Sequence, residues 1–113
     1  MTKTKTQDNG NGTELGSVRV VFVQRENGPE RLLSEAEMAF LEGPLSGMKL
    51  VGFSLWQGAD GDVYVTFPSR SAGAGTERRY FDYLRSSSGE TADVKRVKAW
   101  IVEAFKARQA AAA

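Results

Sequence analysis

The stretch from residue 48 to residue 70 constrains the fold of this chain most strongly. Two runs rich in β-branched and aromatic residues, 48–56 and 62–67, flank the short Gly/Asp-rich segment QGADG. This arrangement is typical of a β-hairpin. Because side chains alternate between the two faces of a strand, each run has one apolar face. That face is predicted to carry Val51, Phe53, Leu55, Val63, Val65 and Phe67. Pro68 lacks a backbone donor and is expected to end the ladder.

Two further segments are predicted to be strands, and a third is ambiguous. Residues 17–25 and 77–84 both alternate in the manner of strands. Residues 31–42 are rich in Leu, Glu, Ala and Met, which favours a helix. The same residues place Ala36, Met38 and Phe40 on one face, which favours a strand. Residues 69–76 are small, apart from one arginine, and are predicted to form a mobile loop.

The last third of the chain predicts one helix. It is expected to begin at the segment SSSGE, residues 86–90, with Ser87 and Glu90 as a capping box, and to end near residue 108. An apolar stripe at helical spacing would pack on one face of the sheet. The predicted fold class is therefore α+β, an antiparallel β-sheet of four to five strands with one C-terminal helix packed on one face. The predicted core consists of Phe53, Leu55, Val65, Phe67, Val97, Ile101 and Phe105.

The length of 113 residues is typical of one domain. Residues 1–16 contain few sizeable apolar groups, so we interpret them as a disordered N-terminal arm. Residues 17–109 are predicted to form the single domain, and residues 110–113 a frayed tail. The sequence has no apolar run typical of a secretory signal or a membrane span, so the expected location is the cytoplasm.

The chain has no cysteine and no histidine. Their absence excludes disulfides, thiolate nucleophiles, zinc sites of the usual types and histidine acid–base catalysis. Asp60 and Asp62 flank Gly61, but a hairpin turn favours Asp for its own reasons. The segment 73–75 is not followed by Lys-Ser/Thr, so it is not a P-loop. We expect no enzyme activity, cofactor, metal or small-molecule substrate.

Charge is distributed unevenly along the chain. The net charge is only +1, but residues 70–113 carry nine Lys or Arg against five acids, whereas residues 17–69 carry four against seven. In the basic half, arginines alternate with Tyr80, Phe81 and Tyr83. Arginine beside an aromatic ring offers a phosphate contact next to a stacking surface. The predicted nucleic-acid-binding residues here are Arg70, Arg78, Arg79 and Arg85.

The order of these features resembles the stage V sporulation protein G family (SpoVG), small bacterial nucleic-acid-binding regulators. The shared pattern is an alternating strand ending in Phe67-Pro68-Ser69-Arg70, a Gly-containing loop, a strand with arginine, a Ser-rich helix start and one helix ending in an aromatic, here Phe105. The resemblance covers about residues 17–106. It implies a strand for residues 31–42 and a cytoplasmic regulator that binds DNA or RNA.

The resemblance also implies a basic site just after the Ser-rich helix start. Here that position is acidic, with Glu90 and Asp93, and basic residues follow a turn later. These residues are predicted to extend the basic track: Lys95, Arg96 and Lys98. The acidic helix start and the low net charge favour an alternative, a dimeric structural or protein-interaction module without nucleic acid. A homodimer is expected in either case, because a strand such as 18–23 is apolar on both faces.

Overall fold

The structure is a computed structural model and describes residues 12–112. The strands are β1 (Gly12–Leu15), β2 (Val18–Val23), β3 (Leu32–Phe40), β4 (Lys49–Gln57), β5 (Val63–Thr66), β6 (Ser69–Ala72) and β7 (Arg79–Asp82). A 3₁₀ helix (Gly75–Glu77) precedes β7, and one helix, α1 (Thr91–Ala112), ends the described chain.

Five strands form one sheet in the order β1-β2-β3-β4-β5, with every neighbouring pair antiparallel. The helix α1 packs against one face of this sheet, so the predicted α+β class is confirmed. The ambiguous residues 31–42 contain strand β3. Its alternation decided the outcome over helix propensity, because Ser34, Ala36 and Met38 are buried and β3 has a ladder partner on each side.

The predicted N-terminal arm differs from the structure in its last residues. Residues 1–11 lie outside the described residues, but Gly12–Leu15 forms strand β1 and pairs with β2. Gly16 has a φ of 62°, which a glycine adopts without strain, and it reverses the chain into β2. Glu14 lies opposite Arg19 and forms an ion pair with it. Residues 12–15 therefore belong to the main sheet, although the arm was predicted to extend to residue 16.

The core lies between the five-stranded sheet and α1. Ile101 and Phe105 of the helix are buried, and the ring of Phe105 meets that of Phe22 edge-on with centroids 5.4 Å apart. Phe53 and Phe67 make a second edge-on pair, also at 5.4 Å. Six of the seven predicted core residues are buried. The seventh, Val97, is only partly buried and packs at the margin of the core.

The prediction for Val51 is wrong, because β4 contains a bulge. Ala36 pairs with Phe53 but its neighbour Glu37 pairs with Val51, so Gly52 is an extra residue in β4. Gly52 has a φ of 106°, a conformation that favours glycine. The extra residue reverses the alternation. As a result Val51 is 50% exposed, while Leu50 packs against the core.

A second sheet was missed by the sequence analysis. Pro68 follows the end of β5, as predicted, but residues 69–72 are strand β6 and not a loop. Strand β6 pairs antiparallel with β7 in a separate two-stranded sheet. The predicted strand 77–84 is thus shorter than expected and does not belong to the main sheet. We call residues 69–82 the ribbon.

The helix start also differs from the predicted capping box. Ser86 Oγ, not that of Ser87, accepts hydrogen bonds from the backbone N–H groups of Ser88 and Glu90, at 3.3 and 3.1 Å. The Ser86 hydroxyl donates in turn to Asp93 Oδ2 at 2.6 Å. At the other end, α1 continues to Ala112. Residues 110–112 are thus helical in the structure, the predicted fraying of the tail stays a prediction, and residue 113 lies outside the described residues.

Candidate nucleic-acid interface

One face of the ribbon brings together two predicted arginines and an aromatic ring. The register places Arg70 opposite Phe81 and Ala72 opposite Arg79. Residues two apart on a strand share a face, so Arg70, Arg79 and Phe81 lie on the same side. The guanidinium carbon of Arg70 lies 5.4 Å from the centroid of the Phe81 ring, within the range of a cation–π contact. The face thus combines positive charge with an aromatic surface.

The other face of the ribbon carries one aromatic ring and charges of both signs. It carries Tyr80, opposite Ser71, and Asp82, opposite Ser69. Arg78 precedes β7 with an extended backbone, φ −68° and ψ 134°, which continues the alternation and places its side chain on the Tyr80 side. Adjacent Arg78 and Arg79 therefore point to opposite faces, and only Arg79 shares a surface with Arg70.

The aromatic side chains of this region are unusually accessible. Tyr80 is 68% exposed, Tyr83 59% and Phe81 37%. Arg70 covers one side of the Phe81 ring, whereas Tyr80 and Tyr83 are mostly accessible. Exposed rings next to cations are the surfaces on which unpaired bases stack. The sequence indicated that arginines and aromatic residues are interleaved in residues 78–83. It did not indicate that these rings are exposed and not part of the core, which follows from the geometry of the ribbon.

The ribbon arginines carry uncompensated charge. Within residues 12–112, every ion pair involves other cations, so none neutralises Arg70, Arg78 or Arg79. By contrast, the exposed face of the main sheet is internally neutralised. There Arg25 pairs with Glu35 and Lys49 with Glu37. The contrast distinguishes the ribbon from the ordinary charged surface of the sheet.

The three predicted helix cations do not form one track. Arg96 donates to Asp93 Oδ1 at 3.0 Å, so its charge is partly used within the helix. The Lys98 ammonium lies 5.2 Å from the centroid of Phe67, close to the core. Lys95 is exposed and has no ion pair with any residue of the described chain. The structure therefore leaves Lys95 as the one helix cation among these three that resembles the ribbon arginines.

Arg85 and Arg96 meet at a cavity that the sequence did not indicate. The cavity has a volume of about 410 Å³ and lies between the base of the ribbon and the first turns of α1. Arg85 is held there by a hydrogen bond from its Nε to the backbone oxygen of Asp82, at 2.8 Å. Ser86 and Asp93 also line it. No short sequence motif links Ser86 to Asp93. They are seven positions apart and come together through the turn before α1.

The carboxylates of the β4–β5 turn support the hairpin. Asp60 Oδ1 accepts a hydrogen bond from the backbone N–H of Asp62 at 2.9 Å. Asp62 Oδ1 accepts from the N–H of Val63 at 2.8 Å and from Lys106 Nζ at 3.2 Å. The Val63 N–H and then Lys106 lower the pKa of Asp62 below its ordinary value. These contacts stabilise the turn and tie it to the end of α1.

Two absences concern only the part of the chain that the structure describes. In residues 12–112, no three or more acidic side chains are grouped so as to hold a metal ion. Nor does any helix in that range have the length and apolar character needed to cross a membrane.

Comparison of the chain with protein-family models, with curated proteins and with solved structures found no match. The resemblance to the SpoVG family therefore stays a prediction. The candidate interface depends on the geometry of the ribbon and the cavity alone.

Proposed function

We propose that this protein is a nucleic-acid-binding regulatory protein that holds the phosphate backbone of a single strand on its ribbon. The observation that carries the proposal is the shared exposed face of Arg70, Arg79 and Phe81, whose cations have no carboxylate partner within residues 12–112. Cations supply the sequence-independent part of nucleic-acid affinity. The adjacent rings supply stacking surfaces, which every base can use.

The spacing on the ribbon supports contact with successive phosphates. Arg70 lies directly opposite Phe81, and Arg79 is two residues from Phe81 on the same strand. Such diagonal neighbours are about 7–8 Å apart at their Cα atoms. The long arginine side chains extend this reach, so the pair can bind two neighbouring phosphates of an extended strand while a base stacks between them.

Stacking on the ribbon favours single-stranded ligands. The bases of a duplex are already stacked on each other, whereas Phe81 on the arginine face, and Tyr83 just beyond the ribbon, offer rings with accessible surface. A single strand presents both phosphates and unpaired bases to such a surface. We therefore expect single strands to bind more tightly than duplexes of equal length.

The test is fluorescence anisotropy with labelled single-stranded and double-stranded probes over a series of salt concentrations. For a single strand, log K should fall with log salt with a slope of about −0.7 for each phosphate contact. Absence of binding to every probe at about 50 mM salt would reject the proposal, because electrostatic contacts are strong under that condition.

A second candidate function, a dimeric protein-interaction module, is favoured by one specific feature. The turns at one end of the sheet, 16–17 and 41–48, are joined by a hydrogen bond from Leu41 N to Ser17 O at 2.8 Å. Exposed apolar side chains collect at and near this end: Leu15, Leu45, Met48 and Val51. Grouped apolar exposure of this kind is typical of protein contacts, so we propose this end as the contact of a homodimer.

A further inference from the structure

The cavity at the base of the ribbon has the dimensions and lining of a ligand site. Its volume of about 410 Å³ lies within the range of about 300–1,000 Å³ that is usual for small-molecule pockets. One part of its lining is apolar: Phe67, Leu84, Val94 and Val97. The remainder is polar: Arg85, Ser86, Ser87, Asp93 and Arg96. A planar ligand with polar edges suits such a combination.

The polar part is organised around the Asp93 carboxylate. It accepts hydrogen bonds from Ser86 Oγ at 2.6 Å, from Ser88 Oγ at 3.4 Å and from Arg96 Nη1 at 3.0 Å. The bond from Ser86, and then that from Arg96, lower the pKa of Asp93 below its ordinary value, so the group is a charged acceptor at neutral pH. An ionised carboxylate has about four acceptor positions, which leaves one for a ligand donor.

The cavity is also continuous with the ribbon. Phe67 precedes the first ribbon strand, and Leu84 follows the last one by two residues. The N–H of Tyr83 donates to the oxygen of Pro68 at 2.9 Å and closes the base of the ribbon. Tyr83 is exposed next to Leu84 and Arg85. A strand that runs along the ribbon toward its base therefore arrives at the cavity.

We propose that the cavity receives one unpaired nucleobase of the strand bound on the ribbon, with Arg85 and Arg96 on the flanking phosphates and Asp93 accepting a hydrogen bond from the base. This inference rests on the proposed function. The apolar walls contact the faces of the base, as in proteins that take a base out of its stack. Arg85 uses its Nε for the Asp82 oxygen, which leaves its terminal nitrogens to reach a phosphate.

The lining also discriminates between ligands. An inorganic anion in the cavity would meet the negative charge of Asp93, and a purely apolar ligand would leave that carboxylate without a donor. Cytosine, adenine and guanine carry an exocyclic amino donor. Thymine and uracil have no amino group, and their ring N–H lies between two carbonyl oxygens, which the Asp93 carboxylate repels. The cavity should therefore favour bases with an amino group over thymine or uracil.

The experiment is a methyl NMR titration of the whole chain with two short single strands of equal phosphate number, one of deoxycytidines and one fully abasic. The deoxycytidine strand should shift the methyl resonances of Leu84, Val94 and Val97, and the abasic strand should not. Methyl groups of Val21, on the strand β2 of the main sheet, serve as the distant reference. Shifts at the ribbon methyl of Ala72, which lies opposite Arg79, without shifts at the cavity methyls would overturn the inference and leave the proposed function standing. Absence of shifts at both sites would overturn both.

Two tryptophan variants give an independent measurement. Ser87 lines the cavity, so Ser87→Trp should obstruct it, whereas Thr91→Trp places the same indole on an exposed position outside its lining. Ser87→Trp should weaken binding of the deoxycytidine strand about tenfold, the order of one lost stacked base. Thr91→Trp should leave that affinity unchanged, because Thr91 lies outside the lining. Equal affinities of the two variants for deoxycytidines would overturn the inference.

The amino-group preference has its own variant. Asp93→Asn replaces the charged acceptor by an amide and should reduce the ratio of the affinities for deoxycytidines and thymidines. Both strands carry the same number of phosphates, so the change in electrostatic attraction caused by the lost charge cancels in this ratio. Circular dichroism verifies that α1 is retained. An undiminished preference in the folded variant would contradict the assigned role of Asp93.

Discussion

Gly52 and Pro68 lie so close together that a Cβ atom on Gly52 would stand 2.9 Å from the Cβ of Pro68. Gly52 is the bulge residue of β4, with a φ of 106°. Pro68 is buried and is the last residue before the ribbon. Because Gly52 has no side chain, Pro68 fits against the bulge at the point where the chain leaves the main sheet. A side chain at position 52 would therefore disturb both the sheet and the start of the ribbon.

The first prediction concerns this contact. Gly52→Ala should lower the free energy of unfolding by about 1–3 kcal/mol, since alanine is strained at positive φ, and the clash with Pro68 should add to that cost. The measurement is urea denaturation. Gly61→Ala is the matched control, because Gly61 has a φ of 86° but open space around a Cβ. Equal losses for the two variants would show that the Pro68 contact adds nothing.

The second prediction concerns the docking of α1. Ile101 is fully buried in the core, so Ile101→Ala should lower the free energy of unfolding by about 2–5 kcal/mol through lost burial and the cavity it leaves. Val51→Ala, at an exposed position of β4, should change it by only about 0.5 kcal/mol or less. A similar small effect for Ile101→Ala would contradict the packing of α1 on this sheet.

The third prediction separates the two adjacent arginines. Arg79 shares a ribbon face with Arg70, so Arg79→Gln should reduce the salt slope of single-strand binding by about 0.7, the value of one phosphate contact. Arg78→Gln should leave the slope nearly unchanged, because that side chain points to the other face. Arg25→Gln is the control for a general loss of charge, since Arg25 pairs with Glu35 on the main sheet. Equal slopes for all three variants would place the binding site elsewhere, with Lys95 the next candidate.

The fourth prediction concerns acid. Folding lowers the pKa of Asp62, mainly through the Val63 N–H and Lys106, and that of Asp93, mainly through Ser86 and Arg96. A lowered pKa in the folded state stabilises the fold above the ordinary value of 3.8, and this stabilisation is lost as the pH falls through the folded value. The wild type should therefore lose more stability between about pH 5 and pH 2 than an Asp62→Asn/Asp93→Asn variant. Urea denaturation at several pH values measures the difference, and parallel curves would contradict it.

The fifth prediction concerns assembly. If the apolar end of the sheet forms a homodimer contact, sedimentation equilibrium at tens of micromolar should show dimers. Met48→Lys places a charge among the exposed apolar groups and should shift the population toward monomers. A monomeric wild type at that concentration would reject the homodimer.

Much of the main sheet follows from local pattern. The alternation in residues 53–55 and 63–67 indicates which side chains face the core, because side chains two apart on a strand lie on the same face. The positions of Phe53, Leu55, Val65 and Phe67 were predictable for that reason. The apolar stripe of α1 was also predictable, because its residues recur at helical spacing, and such a stripe packs against one face of a sheet.

The sequence by itself thus determined the α+β class, the central hairpin, the core residues and the clustering of basic charge after Phe67. Tertiary structure decided what local pattern does not encode. The extra residue Gly52 reverses which side chains of β4 face the core. The short segment 69–72 is a strand because β7 lies beside it and exchanges backbone hydrogen bonds with it. The ribbon gathers Arg70, Arg79 and Phe81 through the pairing of β6 with β7, and the cavity brings Arg85 and Arg96 together through the turn before α1. Alternation along a strand assigns side chains to faces but does not say which segments pair, so neither arrangement could be read from local pattern.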